Sequence, residues 1–115
     1  MKRYPLGEFE EIVLLTVGIL YDDAYGVAIK KEIDNRLSRK VSIGALQTTL
    51  RRLEEKGYLS AHEGDPNEIR AGKPKRYFTI TAYGAKALEY TRATRSELWR
   101  AIPNRIQLKS SITDL

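Results

Sequence analysis

The feature that most constrains the fold is a change of apolar periodicity at Gly57. Before this glycine, apolar residues recur every three or four positions in three successive segments, as in helices. After it come two short stretches rich in strand formers, 58–63 and 76–81, and then a last helical segment. The chain is therefore predicted to be mainly α with a small β-hairpin.

The first helix is predicted over residues 8–20, where acidic residues precede a run that is apolar on almost every face. A buried strand is the competing interpretation, but the acidic start and the length of the run favour a helix. Such a helix is covered on more than one side, and in a small domain one cover can be a partner subunit. We expect Val13 and Val17 to face that partner.

Capping residues mark the second and third helices. Asp22 or Asp23 is the predicted N-cap of the second helix, which should end near Ser38. Ser42 is the predicted N-cap of the third, and Gly57 supplies its C-terminal stop. Apolar residues repeat along one side of this third helix at Ile43, Leu46, Leu50 and Leu53.

The 115 residues suit one domain, since domains cluster at roughly 100 to 150 residues. Residues 6–81 are predicted to form a winged helix-turn-helix. Residues 82–103 should form a C-terminal helix that is capped by Thr81 and ended by Pro103. Residues 104–115 have no clear period and are expected to be a loose tail.

Composition excludes several classes of function. The chain has no cysteine and a single histidine, His62, so thiol catalysis and cysteine-ligated or histidine-rich metal sites are not expected. The clustered carboxylates resemble helix-terminal charges, and we expect neither an enzyme nor a cofactor. No apolar run approaches the ~18 residues of a membrane span, and the first residues do not resemble a secretory signal, so a cytoplasmic location is predicted.

The net charge of +5 is concentrated in the middle of the chain. Residues 1–38 carry 5 basic and 7 acidic residues, whereas residues 39–76 carry 9 and 5. A basic block within a folded region suits a polyanionic partner, although a membrane surface would fit the charge equally well. In a winged helix-turn-helix, the third helix enters the major groove of DNA and the wing flanks it along the phosphates.

The third helix has an outer face that suits DNA. Gly44 and Ala45 allow close approach of its backbone, and the free amides after Ser42 can bind a phosphate. Thr48 lies opposite the apolar stripe, where it can touch a base edge, and two arginines can contact guanine or phosphate. The alternative is an ordinary solvated face with Arg–Glu pairs. The predicted contact residues are Ser42, Gly44, Ala45, Gln47, Thr48, Arg51 and Arg52.

The wing supplies a second set of cations: Arg70, Lys73, Lys75 and Arg76. Glycine and proline separate them rather than carboxylates, so we expect their charge not to be neutralised locally. Each can contact a phosphate, which would make DNA binding by a dimer steeply dependent on salt. The alternative is a loop that only aids solubility.

Six runs in matching order resemble the PadR-like transcriptional regulators: 6–10 (LGEFE), 23–29 (DAYGVAI), 42–46 (SIGAL), 48–50 (TTL), 53–59 (LEEKGYL) and 75–84 (KRYFTITAYG). The resemblance covers about residues 6–102 and implies a homodimeric DNA-binding protein, usually a repressor, with one dimerising C-terminal helix. Members commonly have tyrosine where this chain has Gln47, so a phosphate contact is replaced by a side chain that can read adenine.

The predicted dimer interface combines the first helix with Leu98, Trp99 and Ile102 of the last. Trp99 has two interpretations: it packs the interface, where aromatic residues are common, or with its symmetry mate it brackets a flat hydrophobic effector, as in some similar regulators. Two-fold symmetry predicts a palindromic operator. A winged helix that binds protein instead of DNA is the alternative function.

Overall fold

The computed structural model of the chain describes residues 4–65, 67, 69–70 and 73–104. Its elements follow the predicted order of three helices, a hairpin and a fourth helix. They are α1 (Glu8–Leu20), a 3-10 turn (Tyr21–Asp23), α2 (Gly26–Leu37), α3 (Ile43–Glu55), β1 (Leu59–Glu63), β2 (Ile69–Arg70), β3 (Lys73–Pro74), β4 (Arg76–Ile80) and α4 (Ala82–Ala101). The predicted mainly α fold with a small hairpin is confirmed.

Local signals placed two of the helix starts correctly. The Ser42 hydroxyl accepts a hydrogen bond from the Ala45 amide at 3.0 Å, and the Thr81 hydroxyl accepts one from the Gly84 amide at 3.0 Å. Gly57, with a φ of 82°, adopts the left-handed conformation that ends α3. These caps fix both ends of α3 and the first turn of α4.

The predicted N-cap of α2 was wrong, because strand pairing intervenes. Asp22 and Asp23 lie in the 3-10 turn, and α2 begins only after Tyr25. The Phe78 amide donates to the Ala24 carbonyl at 2.8 Å, and Tyr25 forms a bridge with Tyr77. This pairing holds the chain extended before α2, so the helix cannot start at an aspartate.

The hairpin is longer than predicted. β1 and β4 pair antiparallel from Leu59↔Ile80 to Glu63↔Arg76. Beyond them β2 pairs with β3, so part of the segment predicted as a long loop is a second short ladder. The wing therefore contains two short antiparallel ladders, β1–β4 and β2–β3.

The core lies where α1, α2 and α3 meet the inner face of the hairpin. Buried side chains from all these elements form it, with Ala87 of α4: Val13, Leu14, Val17, Ala24, Ile29, Ile33, Val41, Leu46, Leu50, Leu53, Tyr58, Leu59, Phe78 and Ala87. Among the described residues, no buried side-chain polar atom lacks a hydrogen-bond partner.

The outward face of α1 differs from the predicted one. Val13 and Val17 are 0% and 1% exposed and belong to the core, so the expectation that they face a partner is wrong. Leu15 and Ile19 are about half exposed instead. Because α1 is apolar on nearly every side, its sequence alone did not determine which side packs on α2 and α3.

A buried carboxylate joins the start of α1 to the end of α3. Glu10 accepts from the Gly7 amide at 2.7 Å and from Lys56 Nζ at 2.9 Å on both oxygens. Burial raises the pKa of Glu10, but the Gly7 amide and the Lys56 ammonium together hold the pKa below its ordinary value. The Tyr58 hydroxyl donates to the Pro5 carbonyl at 3.2 Å, and burial raises the pKa of Tyr58.

Two contacts set the direction of α4. Arg95 Nη2 lies 2.9 Å from Glu11 Oε1, which joins α4 to α1. At the other end of the helix, Gly84 packs directly on the backbone of Tyr58. Apart from half-buried Ser96, the residues from 92 to 101 are exposed, and after Arg95 the last turns of α4 lie away from the core.

Candidate nucleic-acid interface

The outer face of α3 is open to solvent. Leu46, Thr49, Leu50 and Leu53 form its buried side. Ile43 was predicted on that side but is 45% exposed and lines the open cleft beside the wing, whereas Thr49 is buried and donates to the Ala45 carbonyl at 2.9 Å. All seven predicted contact residues of α3 are exposed: Ser42, Gly44, Ala45, Gln47, Thr48, Arg51 and Arg52.

The first turn of α3 is small and rich in donors. A Cβ built on Gly44 would meet nothing within 4 Å, so packing does not require a glycine there. The Ser42 hydroxyl caps the helix through an oxygen lone pair, and a hydroxyl also carries one hydrogen that it can donate. A phosphate or a base edge can thus come close to the backbone of this turn.

A cleft of about 780 Å³ separates α3 from the wing. On the α3 side it is lined by Gln47, Thr48 and Arg51, and on the wing side by Lys75 and Arg76. The N-terminal residues of α2 close one end. The structure therefore brings four of the seven predicted α3 residues, Gly44 among them, and two of the predicted wing cations to a single groove. Ser42, Ala45 and Arg52 are exposed but do not line it.

The wing cations are held by neighbouring side chains. Arg76 Nη2 lies 2.9 Å from Glu54 Oε2, so the expectation that wing charge is not neutralised locally is wrong at Arg76. Lys75 Nζ lies 4.3 Å from the centre of the Tyr25 ring, a cation–π contact. The side chains of Arg70 and Lys73 lie outside the described part of the chain.

The arginines of α3 are not paired with the glutamates beside them. Among the described residues, neither Arg51 nor Arg52 forms an ion pair, and Glu54 pairs with Arg76 of the wing instead. The Arg–Glu pairs along the helix that the alternative predicts are therefore not formed in the described part of the chain. Arg51 lines the cleft, whereas Arg52 lies outside it and near enough to Glu10 to help lower the pKa of that carboxylate.

Sequence reasoning missed Glu54 and Tyr25 as parts of the groove. Glu54 follows Arg51 by three positions, so its place on the cleft side of α3 was readable from helical spacing. Its partner Arg76 is 22 positions away, and only the closure of the hairpin brings the two together.

The far end of α4 presents a second exposed surface. Leu98 is 65% and Trp99 is 58% exposed, on turns that do not pack on the core of their own chain. Ile102 is partly buried, and its amide donates to the Trp99 carbonyl at 3.2 Å. Adjacent exposed apolar side chains of this kind can form part of an interaction surface.

The described residues contain no group of three or more histidine, aspartate and glutamate side chains that can hold a metal ion. No described helix is both long enough and apolar enough to cross a bilayer.

A helix with a small, cationic outer face beside a basic two-stranded wing defines the class of winged-helix DNA-binding proteins. The family model of the transcriptional regulator PadR-like family matches residues 14–90, about two thirds of the chain. The chain thus belongs to the PadR-like family. Members of this family regulate transcription by binding DNA and are not enzymes.

Solved structures share the fold. A PadR family transcription regulator from Clostridium difficile is 26% identical, with 77% of this chain and 91% of that chain covered and a TM-score of 0.61. A PadR-like transcription factor from Bacteroides fragilis is 24% identical (86% and 89% covered, TM-score 0.69). RosR from H. salinarum is 22% identical (98% and 96% covered, TM-score 0.69). A comparison with curated protein sequences found no match.

Proposed function

We propose that this protein is a homodimeric repressor that binds a specific, palindromic DNA operator. In each subunit α3 lies in the major groove and the wing follows the phosphates beside it. The observation that carries the proposal is the shared groove, in which the open face of α3 meets Lys75 and Arg76. Specific DNA binding needs both parts, because base contacts determine which sequence is bound whereas phosphate contacts fix the position of the protein on the duplex.

The contact residues of α3 have different proposed roles according to their position along the helix. Ser42, Gly44 and Ala45 let the first turn approach a phosphate or a base pair closely. Gln47 and Thr48 read base edges, the amide pairing best with adenine and the threonine methyl with thymine. Arg51 and Arg52 follow on the next turn, where each can contact guanine or phosphate.

The wing supplies phosphate contacts through Arg70, Lys73, Lys75 and Arg76. Sequence-independent contacts of this kind release counterions, so affinity should fall steeply as salt rises. Lys75 and Arg76 already lie beside α3, which supports a role for the wing at the phosphates that border the occupied major groove.

Dimerisation through α4 and α1 is the second part of the proposal. Leu98 and Trp99 project from the end of α4, and Leu15 and Ile19 lie exposed on α1. A two-fold partner that covers these residues would remove them from water and would place the two α3 helices on one face of the duplex. Palindromic half-sites follow from that symmetry.

A flat hydrophobic effector that inserts beside Trp99 and separates the subunits would relieve repression. Trp99 is the only tryptophan in the chain, so its intrinsic fluorescence reports on this position alone. Planar aromatic compounds that bind should shift or quench this emission and lower DNA affinity in the same concentration range. Quenching without any change in DNA affinity would argue against a regulatory role.

The decisive experiment selects bound sequences from a pool of random duplexes and then tests the enriched sequence as an operator in a transcription assay. Wild-type protein should enrich a palindrome and reduce transcription from it. Replacing Arg70, Lys73, Lys75 and Arg76 by glutamine should abolish duplex binding. As a control, neutralising two exposed cations outside the groove, Lys31 of α2 and Lys86 of α4, should leave binding almost normal.

Two outcomes would count against the proposal. DNA affinity that survives neutralisation of the wing would remove the wing from the interface. A wild-type protein that binds no duplex at all would favour the alternative of a winged helix that binds another protein.

A further inference from the structure

The ion pair between Glu54 and Arg76 is the feature of the groove that DNA binding alone does not explain. Arg76 Nη2 donates to Glu54 Oε2 at 2.9 Å and to Oε1 at 3.1 Å. Among the described residues that line the cleft, Glu54 is the only acidic one, whereas Arg51, Lys75 and Arg76 are basic. A carboxylate repels the phosphates that such a groove would receive, so its presence requires a separate explanation.

Folding stability does not supply that explanation. The side chain of Arg76 is 57% exposed and that of Glu54 is 33% exposed, and ion pairs in such positions contribute little to stability. The elements that carry the pair are already joined through the core, where Leu53 of α3 and Phe78 of β4 are buried. The pair therefore acts on the groove more than on the fold.

The geometry leaves Arg76 able to bind a second anion. Both oxygens of Glu54 are contacted by one nitrogen, Nη2, whereas a guanidinium has five N–H donors in a fixed plane. The guanidinium carbon also lies 5.9 Å from the centre of the Phe78 ring. Arg76 can thus hold Glu54 with one edge and present its remaining donors to a phosphate in a defined direction.

We infer that Glu54 is a positioning residue that determines sequence specificity. Glu54 holds Arg76 against α3. This wing cation therefore reaches a phosphate only when α3 lies in the DNA major groove in the register that it takes on the operator. The inference rests on the proposed function, in which α3 reads an operator.

Loss of Glu54 should matter most on nonspecific DNA. Complexes with random sequence depend almost wholly on phosphate contacts, which a freed Arg76 can make in any register. On the operator, Arg76 already contacts its phosphate while it is paired with Glu54. Freeing Arg76 should therefore add no phosphate contact there. Glu54 thus lowers affinity for nonspecific DNA and leaves operator affinity intact.

The test compares Glu54→Gln with Glu55→Gln, which makes the same change of charge at an exposed neighbour that does not line the cleft. Fluorescence anisotropy over a range of salt gives the affinity for the selected duplex and for a scrambled duplex of equal length. We expect Glu54→Gln to bind the scrambled duplex about two- to fivefold more tightly, with a log–log salt slope steeper by about 0.9 per subunit. Operator affinity should stay unchanged, and Glu55→Gln should keep the wild-type ratio of the two affinities.

A second comparison isolates the pair. Arg76→Gln should itself lower the ratio of operator to scrambled affinity, and adding Glu54→Gln to it should leave that ratio unchanged, although removal of a negative charge raises both affinities. The inference is overturned if Glu54→Gln keeps the wild-type ratio, or if its effect persists in the Arg76→Gln background. A wild-type ratio of one would instead overturn the sequence-specific function itself, so the two failures are distinct.

Discussion

At the scale of single residues, the packing around two glycines in the first turns of helices, Gly44 of α3 and Gly84 of α4, is different. A Cβ on Gly84 would lie 2.2 Å from the carbonyl oxygen of Tyr58, so the close contact of α4 with the hairpin requires its absence. A Cβ on Gly44 would meet nothing within 4 Å. Gly44 therefore lowers the stability of α3 without any gain in packing, which suggests that its reason lies in the DNA.

Gly44→Ala should separate folding from binding. Alanine favours the helix by roughly 0.5 to 1 kcal/mol, so the free energy of unfolding should rise by about that amount. Operator affinity should fall, because a methyl group would stand between the backbone of α3 and the DNA. Urea denaturation and anisotropy titrations measure the two effects. Gly84→Ala serves as the opposite case, with a loss of about 3 kcal/mol or more in stability.

Glu10 makes stability depend on pH in the acidic range. Its pKa in the fold is below the ordinary value, so the fold favours the carboxylate. The resulting stability is complete at neutral pH, above the pKa of the unfolded chain, and is lost as pH falls through the pKa of the folded state.

Glu10→Gln should therefore lower the free energy of unfolding by about 1.5 to 3 kcal/mol near pH 7, because Lys56 loses its charged partner. The difference from wild type should shrink steadily on acidification, as denaturant titrations at several pH values would record. Glu8→Gln removes an exposed acid from the same turn and should show neither effect. A deficit that stayed constant with pH would contradict the role of the charge.

At the scale of elements, two N-caps have equal geometry but different surroundings. Ser42 and Thr81 each accept an amide hydrogen bond at 3.0 Å, and each cap contributes about 1 kcal/mol. Thr81 also donates to the Gly57 carbonyl at 2.6 Å, on the side of the domain where α4 begins. Only Ser42 stands at the start of the proposed reading helix.

Ser42→Ala and Thr81→Ala should both cost stability and should differ in DNA binding. Loss of the cap should lower the unfolding free energy by about 1 kcal/mol in each, and Thr81→Ala should cost more because it also loses the hydrogen bond to the Gly57 carbonyl. Ser42→Ala should also weaken operator binding, since the hydroxyl that can donate to a phosphate is gone. The affinities are compared at a temperature where both variants are fully folded. Equal operator affinity in the two variants would remove Ser42 from the interface.

The same elements show how far sequence could predict the structure. The limits of α1, the caps of α3 and α4 and the stop at Gly57 depend on nearby residues, and each prediction was correct. The start of α2 depends on pairing between Ala24 and Phe78, and the Glu54–Arg76 pair on hairpin closure. Contacts between distant positions leave no periodic trace in one sequence, so these features could not be predicted.

At the scale of the whole molecule, the most exposed part of α4 lies outside the region that forms the core. The hydrophobic core is completed by α1 to α3, the hairpin and the first half of α4. The remaining turns of α4 carry Leu98 and Trp99 into solvent. A substitution on these turns should therefore alter the association of subunits while leaving the fold of each subunit intact.

Leu98→Lys should convert the proposed dimer to a monomer without unfolding it, because the leucine is 65% exposed in the single chain. Sedimentation equilibrium would show the change of mass, and circular dichroism would show retained helix. The matched control is Leu37→Lys, which puts the same charge on a leucine of α2 that is 44% exposed, and it should remain dimeric. Loss of one subunit removes half of the phosphate contacts, so the monomer should bind the operator with about half the wild-type salt slope. A Leu98→Lys protein that kept both its dimeric mass and its full salt slope would place the interface elsewhere on the molecule.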